Sequence, residues 1–312
     1  KNMEKGFLIV VESSVTVGST REIGKFIEEK TGLKVGEEFG LAYCPERYNP
    51  TLPFEKMPEV VYNYKPQSST NYTIDKISRV VSGINEKSMK LVKKIYSQFV
   101  SSEIKELSSL EAAEATKLIE NIFRDVNIAL VNEFSKIFPK LNLDIYELIE
   151  GAKTKPFAFI PHYPGPGVGG ECIPVDTWYL IRQAESIGLD TRLMRTAREV
   201  NDSMPNYVAE LLENSLKEFG KEISGSKITI LGIGYKKDVS DIRLSPTFDL
   251  IKILKSKGAN VVVCDPVVKR SQNLDYLVPL EECFDGSDAV ILITDHTIFK
   301  NISFEYVKER MR

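Results

Sequence analysis

A cysteine at the end of a glycine-rich loop is the residue best suited to chemistry in this chain: Gly165-Pro166-Gly167-Val168-Gly169-Gly170-Glu171-Cys172-Ile173-Pro174-Val175-Asp176. Such a run of glycine and proline forms neither a helix nor a central strand, so its backbone is free to approach a ligand closely. Helical periodicity then starts in Asp176-Thr-Trp-Tyr-Leu-Ile, which places Cys172 just before a helix N-terminus. Exposed amides and the helix dipole there favour a thiolate over a thiol. The alternative is a buried cysteine beside a structural turn. Lys117 and Asn121 lie four apart in a helical stretch and so project from one face, as functional groups or as a solvated stripe. Ser14 and Glu46 follow two predicted strands, where loop polarity and function are equally good readings. Lys236, Lys237 and Arg243 follow a Gly232-x-Gly234 turn and could meet a diphosphate; a solvated basic turn explains them equally well.

The elements that must position these residues alternate between strands and helices. Gly6 to Glu12 is a nearly continuous apolar run, expected of a strand buried on both faces of a parallel sheet. Because the chain starts at Lys1 rather than Met, it reads as entering a sheet midway. Ser19 to Lys30 reads as a helix closed by Gly32, and Phe39 to Cys44 as a second strand. That makes a doubly wound unit, whose ligands sit at the strand carboxyl ends. Pro50 to Thr73 reads as a long irregular loop, Ile74 to Val81 as a strand and Glu86 to Phe99 as an amphipathic helix. Ser108-x-x-Glu111 has the form of a capping box and opens a helix of some thirty residues that ends at Pro139. Asp144 opens a short helix stopped by Gly151. A second long helical region runs from about Asp190 to Phe219, with Pro205 expected to restart or kink it. A second sheet follows, with strands at Ile228–Tyr235, Asn260–Asp265 and Asp288–Thr294 and a helix after Ser245-Pro246 that ends at Gly258.

Composition narrows the partners. The 312 residues carry 41 basic and 44 acidic side chains, a net charge of −3, and 42% hydrophobic residues. This balance argues against nucleic acid or a membrane surface as the principal partner, and no apolar run approaches the length of a spanning helix. Cys44, Cys172, Cys264 and Cys283 form no Cys-x-x-Cys pair, and His162 and His296 are the only histidines, so neither a disulfide framework nor a structural metal is expected. His162, flanked by Pro161 and Pro164, reads as a loop residue without a specific role. Reduced thiols in the cytoplasm fit this pattern.

In this order, the pieces resemble the UDP-glucose/GDP-mannose dehydrogenase family. The motifs that carry the resemblance are Glu12-Ser-Ser-Val-Thr-Val-Gly-Ser-Thr20, Cys44-Pro-Glu-Arg47, Lys117-Leu-Ile-Glu-Asn121 with Arg124-Asp-Val-Asn127 behind it, the Gly165 to Asp176 loop, and Gly234-Tyr-Lys-Lys-Asp-Val-Ser-Asp-Ile-Arg-Leu-Ser-Pro246. The resemblance implies an α/β fold of two Rossmann-like doubly wound sheet domains, the first incomplete, joined by a central helical domain with a long helix. The expected divisions are 1–104 for the later half of an NAD-binding domain, 105–222 for a helical dimerisation domain carrying the cysteine loop, and 223–312 for a UDP-sugar-binding domain. It also implies NAD-dependent, two-step oxidation of the C6 alcohol of a UDP-sugar, with Cys172 capturing the aldehyde.

By the same resemblance, Lys117 and Asn121 serve the C6 oxyanion, Asp176 and Glu46 move protons or position water, and Ser14 holds that water. Ser14, Glu46 and Arg243 are the cofactor contacts implied, and Lys117, Asn121, Gly169, Gly170 and Lys236 the substrate contacts, in a homodimer built through the central helices. The family's Gly-x-Gly-x-x-Gly loop is absent from this chain, and the family's final strand lies beyond its last residue. Glu46 is followed by Arg-Tyr-Asn-Pro50, which resembles the branch acting on UDP-N-acetylmannosamine or UDP-N-acetylglucosamine rather than on UDP-glucose. Glu171 stands where that branch commonly has histidine, and a carboxylate beside a thiol tends to raise its pKa. The alternatives are a UDP-glucose 6-dehydrogenase, a non-catalytic UDP-sugar-binding or dimerisation module, and a cysteine hydrolase, which lacks a histidine tied to Cys172.

Overall fold

The computed structural model describes residues 4–47, 74–268 and 274–312. The loop expected at Pro50–Thr73, and Pro50 as a substrate marker, lie outside the described residues. The chain divides into two compact units, and α/β architecture of the Rossmann type is present in both.

The first unit takes in residues 4–47, 74–124 and 175–192. Its strands are β1 (Leu8–Val11), β2 (Gly40–Tyr43), β3 (Arg79–Gly83) and β4 (Ile104–Glu106), in that spatial order. β1 and β2 run parallel, with Leu8 opposite Gly40, and α1 (Ser19–Thr31) connects them. β2 and β3 are antiparallel, and β3 pairs parallel with β4 after α2 (Glu86–Tyr96). The period-two alternation of β2 buries Leu41 and Tyr43 with Leu110 and Ala113 on one face, and Ala42 with Val81, Val92 and Tyr96 on the other. β1 also packs on both faces, Leu8 and Val10 on one and Ile9 and Val11 on the other. All four of its residues are only half-buried. The strand expected at Ile74–Val81 begins later, at Arg79, after a turn.

The second unit takes in residues 125–174, 193–268 and 274–312. The long helix α3 (Leu110–Ile137) contributes to both units. Its first amides are met one residue later than the sequence pattern suggests: Ser109, not Ser108, accepts the Ala112 N–H at 3.0 Å. α4 (Ile145–Lys153) is capped by Asp144 as expected but runs through Gly151 rather than stopping there. α5 (Cys172–Ser186) starts at the cysteine itself, with Pro174 in the first turn where a missing N–H costs nothing. α6 (Arg192–Glu218) continues through Pro205, which is buried, instead of restarting at it.

A three-stranded parallel sheet follows, β5 (Lys227–Leu231), β6 (Asn260–Cys264) and β7 (Ala289–Leu292), in the order β6-β5-β7. A first strand flanked on both sides by later parallel strands is the doubly wound arrangement, and it puts the loops after β5, β6 and β7 at one edge. α7 (Thr247–Ser256) begins after Pro246, with Ser245 Oγ accepting the Thr247 N–H at 3.3 Å. Ala209, Leu212 and Leu216 of α6 join Ile228 and Ile230 of β5 and Leu250, Ile251 and Leu254 of α7 in one core. α8 (Phe304–Arg310) closes the described chain.

Candidate active site

In the first unit, the amphipathic pattern of α3 turns Leu110, Ala113 and Leu118 inward and sets Lys117 and Asn121 one turn apart. Asn121 is buried, and its Nδ2 donates to Asp176 Oδ2 at 2.6 Å. Asp176, on α5, is 1% exposed. Burial pushes its carboxyl above the ordinary aspartate range; hydrogen bonds from Asn121 and Ser14 and the charge of Lys117 oppose this without cancelling it. Four of the residues singled out from the sequence, Ser14, Lys117, Asn121 and Asp176, are therefore one cluster. Its carboxyl lies above the ordinary range beside a lysine charge.

Glu46 is also in the first unit, exposed in the segment after β2, where Arg79 Nη1 lies 3.3 Å from its Oε1. Its neighbour Arg47 reaches Glu120 of α3 at 2.6 Å and the Ser78 carbonyl at 2.7 Å, fastening this segment to the helix that carries Lys117 and Asn121. Cys44, just before it, is buried, and burial pushes its thiol up to about 11. That sets it apart from Cys172, which is exposed.

The sequence pattern missed Glu114. It lies three residues before Lys117 on α3, fully buried, and accepts the Gly18 N–H at 2.5 Å and the Thr20 N–H at 2.7 Å. A carboxylate thus occupies the amides at the start of α1 and fixes the segment that leads there from Ser14. Gln183 of α5 holds the same segment, accepting from Val17 N at 3.1 Å and donating to Val17 O at 2.7 Å. The available signal for Glu114 was its place one turn ahead of Lys117 on the same helix face.

In the second unit, the glycine-rich loop packs against the segment after β5. A Cβ on Gly169 would stand 2.6 Å from Tyr235 Cβ, and one on Gly170, whose φ is +81°, 2.9 Å from the Tyr235 ring. Glycine is required at both positions. Gly170 N donates to the Arg243 carbonyl at 2.9 Å. The Arg243 guanidinium pairs with Glu171 and holds Asp241 through Nε at 2.9 Å and Nη2 at 2.6 Å. The carboxylate beside Cys172 is therefore engaged by a cation. Lys236 is half-buried in the same segment, and Lys237 Nζ reaches Asp295 at 3.0 Å. The Gly232-x-Gly234 turn is closed from within: Ile233 N and Gly234 N both donate to Asp265 Oδ2, at 2.7 and 3.0 Å. His162 Nδ1 lies 3.0 Å from the carbonyl of Ile160 in its own loop.

Among the described residues, no group of three or more His, Cys, Asp or Glu could hold a metal ion, and no helix is long and apolar enough to cross a membrane.

Sheets of the Rossmann type, separated in sequence by long helices, are the architecture of the sugar-nucleotide dehydrogenases. The chain belongs to the UDP-glucose/GDP-mannose dehydrogenase family: residues 111–203 match its central domain and residues 229–312 its UDP binding domain. It is 36% identical over 310 residues to UDP-N-acetyl-D-mannosamine dehydrogenase of Pyrococcus horikoshii, covering 99% of this chain and 68% of that protein. It is 32% identical over 310 residues to UDP-N-acetyl-D-glucosamine 6-dehydrogenase of Salmonella typhi, covering 98% of this chain and 68% of that protein. The solved structure of the Pyrococcus horikoshii UDP-D-ManNAc dehydrogenase superposes with a TM-score of 0.84 at 34% identity, over 99% of this chain and 68% of that one. Other relatives, such as the Methanococcus aeolicus UDP-N-acetyl-D-mannosamine dehydrogenase, are longer still, and this chain spans 63% of that protein.

Proposed function

We propose that the protein oxidises the C6 alcohol of a UDP-N-acetylhexosamine, UDP-N-acetylmannosamine or UDP-N-acetylglucosamine, to the carboxylate in two steps, in the cytoplasm. The observation that carries this reading is the Ser14–Lys117–Asn121–Asp176 cluster, with Cys172 heading the helix that bears Asp176. The names of the relatives and the match to a UDP binding domain support the substrate class.

Lys117 supplies a fixed positive charge, and Asn121 retains a second N–H beyond the one given to Asp176, so both can donate to the C6 oxygen as negative charge develops there. The Cys172 thiolate adds to the carbonyl carbon of the aldehyde, and the former carbonyl oxygen takes up a proton to give a thiohemiacetal. Loss of a second hydride and that proton gives a thioester; water then adds to the thioester carbon, and the C–S bond breaks to release the acid and the thiol. In this reading Asp176 accepts and returns the protons, and Ser14 and Glu46 hold water. Gly169, Gly170, Lys236 and Arg243 are the proposed contacts to the sugar nucleotide and the cofactor phosphates.

NAD would supply the two-electron acceptor that each oxidation requires. Ser14 and Glu46 at the strand carboxyl ends fit a cofactor contact. Among the described residues, however, the amides at the start of α1 are taken by Glu114 and those of the Gly232-x-Gly234 turn by Asp265, so neither offers a diphosphate cradle. NAD therefore enters this reading only as that acceptor.

A homodimer through the central segment, residues 105–222 between an NAD-binding segment 1–104 and a UDP-sugar segment 223–312, is part of the proposal. It is supported by the apolar side chains Ile119, Phe123, Leu130 and Ile137, all at least 46% exposed on α3. The test is NADH formation by the full-length protein with UDP-N-acetylmannosamine, UDP-N-acetylglucosamine and UDP-glucose in parallel. Two NADH per N-acetylhexosamine are expected; turnover of UDP-glucose alone would overturn the substrate assignment.

A further inference from the structure

The glycine-rich loop begins on a buried chain of polar groups that the proposed reaction does not use. Asp125 and Asn132 of α3 and Asn201 of α6 are each 0% exposed. Arg198 Nη1 donates to Asp125 Oδ1 at 2.8 Å, and this guanidinium also meets Asp202. Asn201 Nδ2 donates to the same Asp125 oxygen at 2.8 Å and to the Asp125 carbonyl at 3.0 Å. With its NH2 facing two acceptors, the Asn201 amide must turn its Oδ1 the other way, where it accepts Asn132 Nδ2 at 2.9 Å. That in turn fixes Asn132 Oδ1 toward the loop, where it accepts the Gly165 N–H at 2.9 Å. Each group determines the orientation of the next, because turning either amide over would set like atoms against each other. The same strut touches the loop again at Gly167, whose φ is +127° and whose Cβ, if present, would stand 3.0 Å from the Asn201 carbonyl oxygen.

We propose that Asn132 is a positioning residue for Cys172: its amide, oriented through Asn201 by the Asp125–Arg198 pair, fixes the start of the loop whose other end is held by Gly170 N on the Arg243 carbonyl. The inference rests on the reading of Cys172 as nucleophile, but it concerns the loop and can fail separately. A buried amide of fixed polarity is a better anchor than a surface hydrogen bond, because leaving the buried Asn201 oxygen unsatisfied carries the full desolvation cost.

The test compares Asn132→Asp and Asn132→Ala with the wild type in the full-length protein. The readouts are hydrogen exchange at loop residues 165–170, the rate of Cys172 alkylation by iodoacetamide, and kcat and KM for the UDP-sugar. An ionised aspartate has no donor for Asn201, whereas a protonated one donates through O–H and accepts through C=O, reproducing the polarity of asparagine. Asn132→Asp is therefore expected to loosen the loop at neutral pH and to recover toward the wild type as pH is lowered, each rate being taken relative to the wild type at the same pH. Asn132→Ala, which buries no charge and keeps the assay open if the aspartate variant folds poorly, is expected to be loosened at every pH. In both variants at neutral pH, kcat should fall by roughly 10- to 100-fold with KM within about 2-fold, the cost of a misplaced reacting group. Wild-type loop exchange and alkylation rates in both variants would overturn the inference, as would an aspartate defect that acid does not relieve. If instead Cys172→Ala still forms the acid, the nucleophile reading fails, whatever the loop measurements show.

Discussion

Asp176 and Asp265 are both buried carboxylates, 1% and 5% exposed, and their surroundings drive them apart. In each case burial is the largest influence and favours the neutral acid. Around Asp176 the opposition is thin: one amide of Asn121, the Ser14 hydroxyl and the charge of Lys117, and the carboxyl stays above its ordinary range. Asp265 Oδ2 accepts from Ile233 N, Gly234 N and His296 Nε2, and its Oδ1 accepts from Val267 N and Val268 N at 3.0 and 3.1 Å. The His296 hydrogen bond leads that opposition, and the carboxyl is held below its ordinary range. His296 Nδ1 accepts the Asp238 N–H at 2.8 Å, which fixes the tautomer that donates to Asp265. The contrast teaches what makes a buried acid structural or reactive. Five donors hold a charge in place; fewer leave the carboxyl above its ordinary range.

Asp265→Asn should break the comparison most severely. An amide cannot accept from donors on both sides, so either the Val267 and Val268 amides or the Ile233 and Gly234 amides would face an NH2 group. A loss on the order of 3 kcal/mol is expected in urea unfolding; a variant as stable as the wild type would show that the carboxylate is not needed where it stands. Asp176→Asn should do the reverse. Its stability is expected within about 1 kcal/mol of the wild type, since it removes a poorly compensated charge, while turnover falls by roughly 10²- to 10⁴-fold. Equal losses of stability and activity would place Asp176 with Asp265 as a structural acid.

The pH dependence of folding gives a smaller but sign-specific check. Because the native Asp176 carboxyl lies above its unfolded value, its contribution to stability is fully present below about pH 3.9 and is lost as pH rises through the native value. Asp265 lies below its unfolded value, so its contribution is present above that pH and is lost on acidification. Chemical unfolding of the wild type and Asp176→Asn across this window should therefore show the variant gaining relative stability as pH rises. A relative loss would reverse the sign assigned to Asp176.

Much of this was legible in the sequence where the signal is local. The long apolar period of α3 gave its helix, and the four-residue spacing of Lys117 and Asn121 gave their common face. Errors came where local and tertiary signals conflict. Gly151 is a helix breaker by propensity, yet it lies inside α4; Pro205 is buried within α6, which does not restart at it. The Ser109 cap differs from the expected Ser108 by one residue, a shift that neighbouring serines cannot resolve by type alone. The partners that decide each site's character were not legible at all. Glu114 reaches the start of α1 across more than ninety residues of chain, Tyr235, which follows α6 in sequence, covers Gly170, which precedes it, and Asp265 closes a glycine turn that reads, as sequence, like an open one. Such long-range choices depend on which backbone donors the fold leaves unpaired.

The central proposal is that Cys172 carries the sugar between two oxidations and that Asp176 handles the proton. It is tested most directly by quantifying NADH and acid from a UDP-N-acetylhexosamine with the full-length wild type and Cys172→Ala, together with intact-protein mass spectrometry of quenched reactions. The account predicts two NADH and one acid per sugar in the wild type, a sugar-nucleotide adduct located at Cys172, and neither adduct nor acid in the variant. Acid formed by Cys172→Ala at the wild-type rate would contradict it.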